Sequence, residues 1–264
     1  LTKEFIIYPQ PNNNKTVSSP PIQLQPSRNN LFACENKMNT EPPPDVKERV
    51  RASYNAMANE YNTWTERHHH LRLSYLNELL SRCPELTSHT TQEANVVLEL
   101  GCGAGKPFLD TLLSQAPTVR AHANDLSDLQ LNLARSNLAN YKDRVDFHPG
   151  DMTRLDFAPG SLAAVVALYT LIHLSQGEQA DMLQRISGWL RPGGVLLANF
   201  AVDETTGAVF EHWLHEKGWV FWSGLGKEGT LEALKSAGLD VEKAEVEGDE
   251  EENFLWIIAR KTSS

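Results

Sequence analysis

The stretch Val96-Val97-Leu98-Glu99-Leu100-Gly101-Cys102-Gly103-Ala104-Gly105 runs from an apolar strand pattern into a turn with three glycines at alternate positions. Glycine permits positive φ and carries no Cβ, so a ligand can approach the backbone there, and a helix starting behind the loop offers unpaired N–H groups. Two carboxylates follow at strand ends: Asp125, and Asp151 within Gly150-Asp151-Met152. A carboxylate accepts two hydroxyl hydrogen bonds without needing a proton. His173, in Leu168-Tyr169-Thr170-Leu171-Ile172-His173, is a candidate proton acceptor, with packing beneath the loop as the other reading. Tyr54, Tyr61 and Trp64 early in the chain, and Trp213, Trp219, Phe221 and Trp222 late in it, could wall a pocket for an apolar or aromatic small molecule. Core filling competes with that reading.

Other chemistries lack their residues. There is no G-x-S-x-G elbow, no H-E-x-x-H helix and no zinc spacing. His68, His69 and His70 are consecutive, so on a helix they point about 100° apart and do not converge on one ion. His212 and His215 are one turn apart but no third ligand is evident, so no metal is expected. The net charge of −10 argues against a phosphate-backbone partner, whose affinity rests on Lys and Arg. Most of that charge is local: residues 240–252 hold eight acids against Lys243 alone, as a solvated hairpin tip would. The apolar run Leu162 to Ile172 falls short of the ~18 residues a membrane span needs. Three cysteines, at 34, 83 and 102, give no C-x-x-C pair and an odd count. A reducing, cytoplasmic setting is expected.

Several elements must position these groups. No glycine precedes Gly101, and residues 1–44 hold eight of the fourteen prolines and seven asparagines, the composition of a disordered or loosely docked arm. From Asp45, a helix carries Val46, Val50, Tyr54, Met57 and Tyr61, and a second carries Leu71, Tyr75, Leu76, Leu79 and Leu80 before Pro84. Both are expected before any strand. Strands at Asn95–Leu100, Val119–Asn124, Arg144–His148, Leu162–Tyr169 and Gly194–Phe200 then alternate with helices near 106–116, 128–139 and 178–190. That alternation is the signature of a mostly parallel sheet. A further helix is expected over Val209, Phe210, Trp213 and Leu214, then a helix over Thr230–Ala237 stopped by Gly238. Leu239–Val246 and Asn253–Ala259 complete the pattern as an antiparallel hairpin.

Glu99-Leu100-Gly101-Cys102-Gly103-Ala104-Gly105 resembles the first motif of the class I S-adenosylmethionine-dependent methyltransferases: an acid, an apolar residue, then G-x-G-x-G. A dinucleotide fingerprint would want its third glycine at 106, where this chain has Lys106. The resemblance continues to Asp125, Gly150-Asp151-Met152, Arg191-Pro192-Gly193-Gly194 and the helix segment Tyr54 to Tyr61. It implies a Rossmann-like α/β fold, a seven-stranded mostly parallel sheet with a C-terminal antiparallel hairpin, helices on both faces and N-terminal lid helices over about 45–83 of a domain spanning 45–264. It implies S-adenosyl-L-methionine as cofactor, held by Tyr54, Glu99, Gly101, Cys102, Gly103, Asp125, Leu126, Asp151, Met152, Leu168 and Tyr169. Asp125 would take the ribose hydroxyls, Asp151 the adenine amine, and Tyr54 the carboxylate end. The acceptor would be a small molecule rather than nucleic acid or membrane, held near Tyr61, Trp64, Trp213 and Trp222, with His173 as general base and the protein a monomer or homodimer. An NAD(P)-dependent oxidoreductase and a non-catalytic cofactor-binding module are the alternatives.

Overall fold

The computed structural model describes residues 37–38, 40–88, 95–249 and 252–262. Residues 1–36, most of the expected arm, lie outside the described residues, as do 250–251 of the expected hairpin tip. In chain order the elements are β1 (Lys37–Met38), α1 (Val46–Ala56), α2 (Ala58–Trp64), α3 (His69–Arg82), β2 (Val96–Leu100), α4 (Phe108–Gln115), β3 (Arg120–Asp125), α5 (Asp128–Asn137), β4 (Val145–Pro149), β5 (Leu162–Ala167), α6 (Gln176–Trp189), β6 (Leu190–Ala201), β7 (Glu204–Glu211), β8 (Trp219–Leu225), α7 (Gly226–Ser236), β9 (Leu239–Gly248) and β10 (Asn253–Lys261).

Seven strands form one sheet in the order β4-β3-β2-β5-β6-β10-β9. Strands β2 to β6 run parallel, and β10 lies antiparallel between β6 and β9. The central strands read as continuous apolar runs because both faces are covered. Val97, Val166, Leu197 and Trp256 pack with Leu76 of α3, Leu112 of α4 and Leu131 of α5. Their neighbours Leu98, Val165, Leu196 and Leu255 pack with Met182 and Ile186 of α6 and Leu234 of α7. The chain leaves β2 toward β3 and β4, then returns to β5 on the opposite side. That reversal opens a crevice at the carboxyl ends of β2 and β5, where open α/β sheets take ligands.

The structure corrects the sequence reading in two places. Val209 and Phe210 lie on strand β7 rather than on a helix, paired antiparallel with Phe221 and Val220 of β8. Trp213 and Leu214 fall in the turn that follows, where His212 and Leu214 take φ +57° and +56°. The reason is tertiary: Val209, Trp219 and Phe221 bury their side chains against Val46 and Val50 of α1, which a helix at this place would not match. The two early helices also do not precede every strand. Lys37–Met38 pairs with β7, and the Thr40 N–H donates to the Gly207 carbonyl at 3.0 Å, so the end of the expected arm is docked. One readable signal was missed: Ser175 and Glu178 form a capping box that starts α6 at Gln176, two residues early.

Candidate functional site

The glycine loop leaves β2 with Gly101 at φ +64° and Gly103 at φ +53°. A Cβ on Gly101 would lie 2.3 Å from Thr170 Oγ1, so glycine is required by both backbone and space. The loop is anchored from β3: the Cys102 N–H donates to the Asn124 carbonyl at 2.8 Å, and the Gly103 N–H to Asp125 Oδ2 at 2.8 Å. Asp125 Oδ1 accepts the Ser127 N–H, also at 2.8 Å. Burial pushes the Asp125 carboxyl up to about 6 despite those two N–H donors. Each of its oxygens keeps a second lone pair for a ligand.

The loop borders a cleft of about 680 Å³ lined by Tyr54, Gly103, Asp125, Leu126, Met152 and Tyr169, among others. Gln130 also lines it, and both polar atoms of its amide are buried without a partner. Beneath the loop, Glu99 is 6% exposed with Oε2 buried and unpartnered. Burial pushes its carboxyl up to about 8, only partly offset by Arg72, with Asp125 adding to the rise. Cys102 and Leu168 are buried but are not among the cleft-lining residues; Leu168 packs in the core. Buried polar atoms without partners usually signal a missing ligand or water.

Asp151 and Met152 line the cleft, and Asp151 has a partner that sequence reading missed. Lys47, from α1, places Nζ 2.9 Å from Asp151 Oδ2 and 2.6 Å from Glu178 Oε1. The Thr153 N–H and hydroxyl both donate to Asp151 Oδ1, at 2.9 and 2.8 Å. Burial works to raise this carboxyl, but the Lys47 and Thr153 hydrogen bonds outweigh it and hold it below the usual carboxylate range. Lys47, Val50, Gln130, Thr170 and Leu174 complete the cleft wall. An acidic helix partner for Lys47 has no local sequence pattern, so only packing could reveal it.

His173 and Tyr54 meet. Tyr54 Oη lies 2.9 Å from His173 Nε2, and His173 Nδ1 lies 3.0 Å from the Phe221 carbonyl. A carbonyl only accepts, so Nδ1 carries the proton and Nε2 accepts from the Tyr54 hydroxyl. Burial holds the His173 pKa down at about 4 and raises that of Tyr54, so the pair is a neutral imidazole and a neutral phenol. Tyr54 therefore bonds to His173 rather than presenting a free hydroxyl to a ligand's carboxylate. Both residues also line a second cavity, of about 320 Å³.

That cavity gathers the four aromatic candidates: Tyr61, Trp64, Trp213 and Trp222. Trp213 lies 6.0 Å from Tyr61, 5.5 Å from Trp64 and 5.4 Å from Trp222 between ring centroids. Trp219 and Phe221 are core residues instead, and the Trp219 N–H donates to Ser53 Oγ. Arg72, also missed from sequence, lines the cavity with its guanidinium 4.8 Å from the Tyr169 ring centroid. His68 is buried with Nε2 3.0 Å from Asp249 Oδ2, while His70 Nδ1 lies 2.9 Å from the Arg67 carbonyl, so the histidine run does not converge. Among the described residues no group of three His, Cys, Asp or Glu is placed to hold a metal ion, and no helix is long and apolar enough to cross a membrane.

Residues 97–194 match a family model described as a methyltransferase domain. Over 122 residues the chain is 34% identical to the methyltransferase GfsG of Streptomyces halstedii, covering 44% of this chain and 42% of that protein. Over 171 residues it is 28% identical to a sterol 24-C-methyltransferase of Clavispora lusitaniae, covering 61% and 44%. The chain thus spans less than half the length of these curated relatives. Among solved structures, the 1,6-didemethyltoxoflavin-N1-methyltransferase of Burkholderia thailandensis has the same fold. Its TM-score is 0.64 at 18% identity, over 87% of this chain and 97% of that one.

Proposed function

From the premise that the chain carries a class I S-adenosylmethionine-dependent methyltransferase domain, we propose that it transfers a methyl group from S-adenosylmethionine to a small-molecule acceptor. One observation carries the reading: the cleft at the carboxyl ends of β2 to β5 presents Asp125 and the unpartnered amide of Gln130 beside a glycine cradle, with the unpartnered Oε2 of Glu99 buried beneath the loop. Those groups fit a ligand with hydroxyls, an ammonium and an amide-sized polar edge. When bound, the cofactor supplies a sulfonium methyl, an electrophile that needs no protein nucleophile.

In this reading Asp125 accepts the ribose hydroxyls and Glu99 faces the ammonium, while Leu126 and Met152 pack against the adenine. Asp151 keeps a lone pair on Oδ2 for the adenine amine beside Lys47. The second cavity holds the acceptor, and its aromatic walls orient it. His173 Nε2 takes the acceptor's proton where one must leave, after the Tyr54 hydroxyl gives up that lone pair. Helices α1 and α2 act as a lid, since Lys47, Tyr54, Tyr61 and Trp64 all come from them. A cytoplasmic setting suits the buried free thiols of Cys83 and Cys102 among the described residues.

The test is calorimetric titration with S-adenosylmethionine, S-adenosylhomocysteine and NAD, followed by transfer of labelled methyl into a broad acceptor panel. Saturable binding of the first two and label in a small-molecule product are expected. Binding of NAD in their place would overturn the reading, and cofactor binding with no transfer to any acceptor would leave a binding module.

Glu99 makes a separable prediction. Its folded pKa of about 8 lies above the ordinary value of 4.5, so its effect on stability is full at low pH and lost as pH rises from about 4.5 to 8. The loss is on the order of 3 kcal/mol by pH 7. Glu99→Gln is expected to raise the Tm of the protein alone at pH 7 and above while weakening S-adenosylmethionine about tenfold. Thermal melts across pH, with and without cofactor, check it; a lowered Tm at pH 8 would contradict the buried, protonated carboxyl.

A further inference from the structure

The second cavity is short of hydrogen-bond acceptors. Among its lining residues, three N–H donors are buried with no partner: Trp64 Nε1, Trp222 Nε1 and Arg72 Nε. Folded proteins rarely leave such donors orphaned, because each forfeits its bond to water without replacement. No lining residue carries a buried oxygen without a partner among the described residues. His68 Nδ1 is also unpartnered, and its role follows its tautomer.

Aromatic walls by themselves would suit a flat ring or an organic cation equally. The orphaned donors separate the two. The Arg72 guanidinium stands over the Tyr169 ring on one wall, and Glu252 is the carboxylate on the lining. An ammonium could pair with Glu252 but would leave the three donors, one of them on the Arg72 cation, unsatisfied. A ring system carrying carbonyl, phenol or carboxylate oxygens would satisfy them while stacking its faces on Trp64, Trp213 and Trp222.

Resting on the methyltransferase reading, we propose that the acceptor is a flat, conjugated molecule bearing at least two acceptor oxygens, rather than an amine cation.

The experiment uses ring-matched probes in the presence of saturating S-adenosylhomocysteine: 1-hydroxy-2-naphthoate, naphthalene and 2-naphthylmethylammonium, followed by calorimetry. The hydroxynaphthoate is expected to bind at least tenfold tighter than either of the others. Trp64→Phe and Trp222→Phe keep a ring and drop one N–H, and Arg72→Met keeps a stem and drops the guanidinium. Each is expected to cost the hydroxynaphthoate about three- to tenfold while moving naphthalene less than twofold. S-adenosylhomocysteine affinity is measured on every protein. Its loss in the parent chain would sink the methyltransferase reading. If it is retained, tighter binding of the ammonium probe, equal losses for all three probes, or no binding of the hydroxynaphthoate would overturn this inference alone.

Discussion

Replacing Asp125 by alanine is expected to weaken S-adenosylmethionine binding by about 100- to 1000-fold, the loss of two hydrogen bonds to an ionised group plus the loop they steady. The carboxylate has two tasks at once. Its Oδ2 holds the Gly103 N–H and its Oδ1 the Ser127 N–H, so the glycine loop and the start of α5 both hang on it. The remaining lone pairs face the cleft that it lines. Because burial pushes its pKa up to about 6, the acceptor form is lost as pH falls through that value. Cofactor affinity should therefore drop about tenfold per pH unit below 6, and Asp125→Ala should bind weakly with that slope removed. Titration calorimetry at pH 5, 6 and 7.5 reads both effects. Unchanged affinity in the alanine variant would remove Asp125 from the ribose site.

The second large effect is on turnover. His173→Gln is expected to lower kcat by about 10²- to 10⁴-fold for any acceptor that must lose a proton, with S-adenosylmethionine affinity changed less than threefold. The geometry sets the pH behaviour. Nδ1 is committed to the Phe221 carbonyl, and the walls around the ring hold its pKa down at about 4, so the imidazole stays neutral through the physiological range. The acid limb of kcat/KM should then lie near 4 rather than at the ordinary histidine value of 6.5. A depressed pKa has a stability counterpart. The unfolded chain binds the proton more readily, so stability is full above 6.5 and declines as pH falls through the window from 6.5 to about 4. His173→Gln should flatten that decline in Tm between pH 6.5 and 4. A normal kcat in this variant would show that the acceptor needs no base, or that another group serves.

The fold and much of the cleft lining were legible in the chain because their signals are local. An apolar strand running into Gly101, Gly103 and Gly105 states both a strand end and a close backbone approach. Asp125 and Asp151 stand directly after strand patterns, and strand ends are where the crevice of such a sheet lies. The four aromatics Tyr61, Trp64, Trp213 and Trp222 could be named as wall candidates, but nothing in their spacing separated them from Trp219 and Phe221, which proved to be core. The helix read over Val209 to Leu214 failed because its apolar spacing served a strand pair whose partner, β8, lies beyond a turn. Such a pairing is decided by tertiary burial against α1 rather than by local period.

The sequence by itself determined the alternation of strands and helices, the glycine cradle and the acids at the strand ends, since each follows from backbone sterics and periodicity within a few residues. The tertiary structure alone decided who meets whom across the chain. Tyr54 and His173 are 119 positions apart, and the tautomer of the histidine follows from a carbonyl on β8. Lys47 reaches Asp151 and Glu178 from a helix that no motif links to them. Arg72 faces the aromatic cavity, and Glu99 owes its raised pKa to burial beneath the loop. These are matters of distance and desolvation, which depend on packing in three dimensions and leave no trace in spacing along one.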